Sequence, residues 1–205
     1  MKKAFLVIFL VLFFDQALKI YIKLTMTLGE EIPMIGDWFK LYFTENYGMA
    51  FGMQFGGEWG KLSLSIFRIL AIMAIGVYLY LITRKKNTST GLIVSISMIM
   101  AGALGNIIDS AFYGLLFTQS SYHTVAEFAK AGEGYAGFLH GRVVDMLYFP
   151  IINLQQSELP AWIPDFLVGY DGRFVFFRPI FNLADSSITI GVFWLLLFER
   201  KHLSL

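Results

Sequence analysis

Ala4 to Leu24 reads AFLVIFLVLFFDQALKIYIKL, an apolar run interrupted by one acid, one amide and two lysines. A helix needs about 20 apolar residues to cross the hydrocarbon of a bilayer. A charged group at that depth is costly and marks a functional candidate. Asp15 lies about 16 Å along this helix at about 1.5 Å per residue. Lys19 follows four residues later on the same face and is placed to pair with it. Such a pair can serve a reaction, or it can simply tie helices together.

The remaining sequence extends the pattern. The chain has 205 residues, of which 57% are hydrophobic and 15% charged. A soluble domain carries roughly 45–50% apolar and about 25% charged residues, so there is too little charge here to coat a water-facing surface. The net charge of +1 provides no field for nucleic acid. The absence of cysteine excludes disulfides, thiolate metal sites and a cysteine nucleophile. Three further stretches are long enough to span, at about 62–82, 91–108 with an extension to Ala111, and 180–198. The length suits one membrane domain over residues 1–205. Lys2 and Lys3 before the first run are reminiscent of a secretory signal. No small-x-small site follows, however, and the apolar pattern continues through Ile20 and Ile22, so a retained span is expected.

Basic residues give the orientation. Lys2 and Lys3, then Arg84, Lys85 and Lys86, then Arg200 and Lys201 flank the spans at one side. The positive-inside rule puts them, and both termini, in the cytoplasm. Residues 25–61 and 112–179 are then outside. The sequence Trp38-Phe39-Lys40-Leu41-Tyr42-Phe43, followed by Asn46-Tyr47-Gly48, predicts a small hairpin or sheet on the membrane. His123 to Lys130 predicts a short helix, followed by a turn rich in glycine. The stretch with Pro160, Pro164 and Pro179 reads as irregular.

Further acids cluster toward the outer side. Asp109 lies about 27 Å along the third span, at its outer end, with Asn106 one turn deeper. Asp185 opens the fourth span, where the helix dipole favours a carboxylate and Asn182 is placed to cap. Asp145 interrupts Val143-Val144-Asp145-Met146-Leu147, a run too short to span, which reads as an interfacial strand or a re-entrant piece. Each acid alone has a bland structural reading. Together they permit a carboxylate pair that shares one proton, one member activating water and the other polarising a carbonyl. That chemistry requires no metal, cofactor or covalent nucleophile.

Five blocks in order resemble the lipoprotein signal peptidases (signal peptidase II). They are Asp15-Gln16-Ala17-Leu18-Lys19, Asn46-Tyr47-Gly48-Met49-Ala50-Phe51-Gly52, Gly102-Ala103-Leu104-Gly105-Asn106-Ile107-Ile108-Asp109, Gly141-Arg142-Val143-Val144-Asp145 and Phe181-Asn182-Leu183-Ala184-Asp185. The resemblance implies an all-α membrane fold of four transmembrane helices, with a small extracytoplasmic sheet cradle and an outer flap. It implies that Asp145 and Asp185 form a catalytic dyad. Asn46, Gly48, Asn106, Asp109, Arg142, Asn182 and Ala184 would line or support the site, braced by Asp15 and Lys19. The implied substrate is a prolipoprotein whose cysteine carries diacylglyceryl, cut just before that cysteine in the bacterial inner membrane. The implied partners are membrane lipid and the inhibitor globomycin, with no cofactor.

The sequence departs from the family at Ser110, where an arginine is usual; Arg142 and Arg178 are the candidate replacements. Residues 110–140 and 146–180 look like insertions. His123 and Glu127 are too few to hold zinc, and Ser186 and Ser187 have no histidine partner. The rivals to a protease are a proton-coupled transporter, in which the acids and Lys19 relay protons, and a purely structural scaffold.

Overall fold

The structure, a computed structural model, describes residues 1–47, 57–160, 162–169 and 172–202. Three helices are long and apolar enough to cross a membrane, over Lys2–Thr25, Trp59–Arg84 and Thr90–Leu116. The first belongs to α1 (Lys2–Thr25) and the second to α2 (Gly57–Arg84). The third begins as α3 (Thr90–Ile108), widens into a π turn over Asp109–Tyr113 and ends in a short turn, Gly114–Leu116. The faces of α1 and α2 expose Phe5, Phe9, Phe13, Phe67 and Leu70, as lipid-facing surfaces must.

The stretch 180–198, expected as a fourth span, is not one continuous α-helix. Ile180–Phe181 is a strand, and α4 (Leu183–Trp194) starts after Asn182 and runs on through a π turn, Leu195–Glu199, and a 3-10 turn, Arg200–His202. Pairing of Ile180 with Tyr148 and Phe181 with Leu147 takes those residues into the sheet, so the helix begins at the cap.

The all-α expectation is also corrected. A four-stranded antiparallel sheet runs in the order β1 (Glu31–Ile35), β2 (Phe39–Asn46), β3 (Val143–Tyr148), β6 (Ile180–Phe181). A second sheet pairs β4 (Ile152–Gln155) with β5 (Arg173–Phe176), giving order to a stretch expected to be irregular. The hairpin turn between β1 and β2 lies at Gly36, where φ is 52°, and the expected turn at Asn46-Tyr47-Gly48 falls partly outside the described residues. The predicted helix at His123–Lys130 is absent. Phe128 bridges Phe117 and stacks on its ring at 5.0 Å, Ala129 N–H donates to the Leu116 carbonyl, and Thr118 N–H donates to the Glu127 carbonyl. With its backbone groups satisfied by a neighbouring strand-like segment, this stretch has no need of helical bonds.

α3 is the central helix and packs against α1, α2 and α4. Two of its glycines allow close approaches to α4 and α1. A Cβ at Gly102 would collide with the Ala184 carbonyl of α4, and one at Gly105 would sit 2.7 Å from the Asp15 carboxylate. Small residues let helices approach in lipid, where no hydrophobic drive separates helix from solvent.

Candidate active site

The site starts from a buried cation. Lys19 is solvent-inaccessible and pairs with Asp15 at 3.0 Å and with Asp109 at 2.8 Å. Each of these acids also holds a backbone N–H. Ala184 N–H donates to Asp15 Oδ1 at 2.8 Å, and Val144 N–H donates to Asp109 Oδ2 at 3.3 Å. Ala184 immediately precedes Asp185, and Val144 immediately precedes Asp145. A single ammonium group therefore braces both backbone segments that present these two acids. Gln16 closes the network by donating to Asp15, to Asp109 and to the Gly105 carbonyl, while its Oε1 accepts from Tyr113.

Two asparagines carry this order outward, and the orientation of each amide is forced. Lys19 can only donate, so Asn106 turns Oδ1 toward it at 3.0 Å and donates through Nδ2 to Asp185 Oδ1 at 2.7 Å. Asn182 caps α4 by accepting the Asp185 N–H at 2.8 Å. Its Nδ2 is thereby left to donate to Asp145 Oδ1 at 2.6 Å. Asp185 returns the capping box by accepting the Asn182 N–H.

Asp145 lies on β3 opposite Thr44 and is also bonded by Asn46 Nδ2. It is buried, whereas Asp185 is half-exposed. Burial first, and the Asp185 charge second, push the Asp145 carboxyl up to about 7. The arrangement thus offers one carboxyl that keeps its proton near neutrality beside another open to water. Among the described residues no group of His, Asp or Glu side chains is placed to hold a metal ion.

The structure distributes the candidate residues unevenly. Asp15, Lys19, Asn46, Asn106, Asp109, Asn182 and Ala184 come together around Asp145 and Asp185. Gly48 lies outside the described residues. Arg142 points elsewhere, reaching Glu45 at 3.4 Å between the rings of Tyr47 and Tyr135. Arg178 donates to the Arg173 carbonyl on the second sheet. Ser110 hydroxyl bonds the Asn106 carbonyl within its own helix. Besides Lys19, Arg68 of α2 lies in the electrostatic field of Asp185, Asp109 and Asp145. Sequence reading passed over it, although an arginine inside an apolar span is the same signal that singled out Asp15. It also missed a second buried network, in which Lys23 pairs with Glu45 and donates to Ser120 at 2.9 Å. That network anchors the 110–140 segment to α1 and β2.

A family model described as signal peptidase (SPase) II matches residues 7–200. The lipoprotein signal peptidase of Porphyromonas gingivalis is 44% identical over 201 residues, covering 97% of this chain and 83% of that protein. That of Amoebophilus asiaticus is 38% identical over 191 residues, covering 92% and 74%. Two solved bacterial membrane enzymes, determined by the in meso method at 2.3 and 1.9 Å, match with TM-scores of 0.64 and 0.60. They are 26% and 27% identical and cover 100% and 96% of this chain, and 91% and 92% of their own. Helical membrane fold, carboxylates and relatives together define a membrane-embedded aspartic protease. The chain belongs to the lipoprotein signal peptidase (signal peptidase II) family, whose work is to remove signal peptides from prolipoproteins. The transporter and scaffold readings give way to this one.

Proposed function

We propose that Asp145 and Asp185 are the catalytic dyad and that the enzyme cuts just before a diacylglyceryl-modified cysteine. The observation that carries this is the Asn182 amide, which accepts the Asp185 N–H and donates to Asp145 Oδ1, linking the two acids through one side chain. Asp145, buried and raised toward neutrality, holds the shared proton. Asp185, half-buried beside it, takes a proton from water as the water oxygen attacks the scissile carbonyl carbon. Asp145 gives its proton to the carbonyl oxygen, forming a gem-diol. In the collapse Asp185 protonates the leaving amine, the C–N bond breaks, and a gem-diol hydroxyl returns its proton to Asp145. Each step moves a proton between groups already positioned, the usual source of acid–base acceleration.

The same reading places one peptidase domain across the bacterial inner membrane as four spans, the fourth formed by α4 and its continuation. Both termini are cytoplasmic and the carboxylates lie near the outer face, with an outer flap over them. Globomycin would occupy this site. The test incubates the purified protein in lipid with two forms of one precursor, with and without diacylglyceryl on the cysteine. The expected product, from the lipidated form alone, begins at the modified cysteine. Equal processing of both forms, or a cut elsewhere, would reject the proposal.

A further inference from the structure

The end of the helix bundle opposite the carboxylates holds a cavity of about 270 Å³ between α2, α3 and the C-terminal turn. The two ends are separated by the length of α3, about 28 Å for its 19 residues. Lys85, Lys86 and Lys201 line the cavity and no carboxylate does. Among the described residues none of these three lysines is in an ion pair. Glu199, an acid near it, is occupied: Ser89 donates to it at 2.9 Å and His202 Nδ1 lies 2.8 Å away. The rim therefore gathers positive charge that nothing in the described chain neutralises.

The floor is different in character. Tyr78, Ile82 and Leu92 form it, and α2 continues away from the cavity with Val77, Tyr80 and Leu81 exposed on its surface. A soluble anion would gain from the rim alone. A phospholipid gains from both parts, its phosphate among the lysines and its acyl chains along the apolar helix. Basic pockets between membrane helices favour such headgroups, each lysine contributing about 1 kcal/mol near the surface.

We propose that this pocket binds the phosphate of an anionic phospholipid in the adjacent leaflet. The site is separate from the proteolytic machinery and holds the enzyme to acidic lipid. The experiment titrates the full-length protein in neutral detergent with phosphatidylglycerol, phosphatidylcholine and water-soluble glycerol 3-phosphate, reading bound adducts by native mass spectrometry. Phosphatidylglycerol is expected to bind at least tenfold more tightly than either of the others, a preference of about 1.4 kcal/mol. A Lys86→Gln/Lys201→Gln variant should lose roughly thirtyfold in that affinity. A Lys40→Gln/Lys130→Gln variant, with the same change in net charge but at the carboxylate end of the molecule, should lose less than about threefold, half a decade on the same scale. Equal losses in the two variants would show a diffuse charge effect and overturn the site. Equal binding of phosphatidylcholine would overturn the requirement for anionic lipid. Glycerol 3-phosphate binding as tightly as phosphatidylglycerol would overturn the lipid assignment in favour of a soluble anion.

Discussion

Lys19 and Asp109 form an ion pair of 2.8 Å in which neither side chain has any contact with solvent. The pair has a third member, Asp15, and through these two acids Lys19 steadies the backbone beside both Asp145 and Asp185. Breaking a buried pair leaves an uncompensated charge and costs about 3–5 kcal/mol. Lys19→Met should therefore lower unfolding stability by that order and also lower the rate of cleavage, without moving the cut. Adding Asp109→Asn should restore part of the stability, because one of the orphaned charges is gone. Unfolding by denaturing detergent, followed in the two variants, measures both effects. Wild-type stability in Lys19→Met would show that the brace is dispensable.

The proposed dyad predicts a pH profile with a fall on its alkaline side. The reactive form keeps a proton on Asp145 and none on Asp185. As pH rises through about 7, Asp145 loses its proton and the rate falls. Asp145→Asn and Asp185→Asn keep the shape of the side chain but cannot exchange the proton, so each should lose about 10²–10⁴ in rate or more. The double variant should be little worse than either single one, since the residues act as a unit. A well-inserted Asp185→Asn enzyme with near-normal cleavage would reject the assignment.

The charges of Asp185, Asp109 and Asp145 act on Arg68. A nearby cation favours the ionised carboxylate. Arg68→Gln should therefore make Asp145 harder to ionise and shift the alkaline limb of the pH profile to higher pH, while Arg68→Lys should leave it near its original position. The measurement is cleavage rate against pH for the two variants. An unmoved alkaline limb in Arg68→Gln would remove Arg68 from the electrostatics of the site.

The proposed orientation is open to direct labelling, because the chain has no native cysteine. Arg84 is exposed at the end of α2, and a side chain at Gly137 would meet nothing within 4 Å. Arg84→Cys should resist an impermeant thiol reagent in intact cells, and Gly137→Cys should react. The opposite result would invert the topology.

Some of this protein is written locally. The three candidate spans follow from run length and apolarity, because a polar backbone in lipid can only satisfy itself as a helix or closed barrel. The cap at Asn182 and Asp185 is readable three residues apart, and Asp15 and Lys19 four apart, since neighbouring turns of one helix enforce those contacts. Other features depend on partners far along the chain. Lys23 meets Glu45 and Ser120, and Phe128 turns to Phe117 in place of forming a helix, because burying those groups together satisfies charges and backbone that local structure would leave open. Residues 180 and 181 join the sheet instead of the helix for the same reason. Arg142 was drawn to Glu45, and Arg68 came to the acids through the packing of α2 on α3. The orientation of the Asn106 and Asn182 amides, on which the proposed chemistry rests, was likewise decided only in three dimensions. An amide presents a donor on one side and an acceptor on the other, and only the placement of Lys19 and the first turn of α4 determines which side faces the carboxylates.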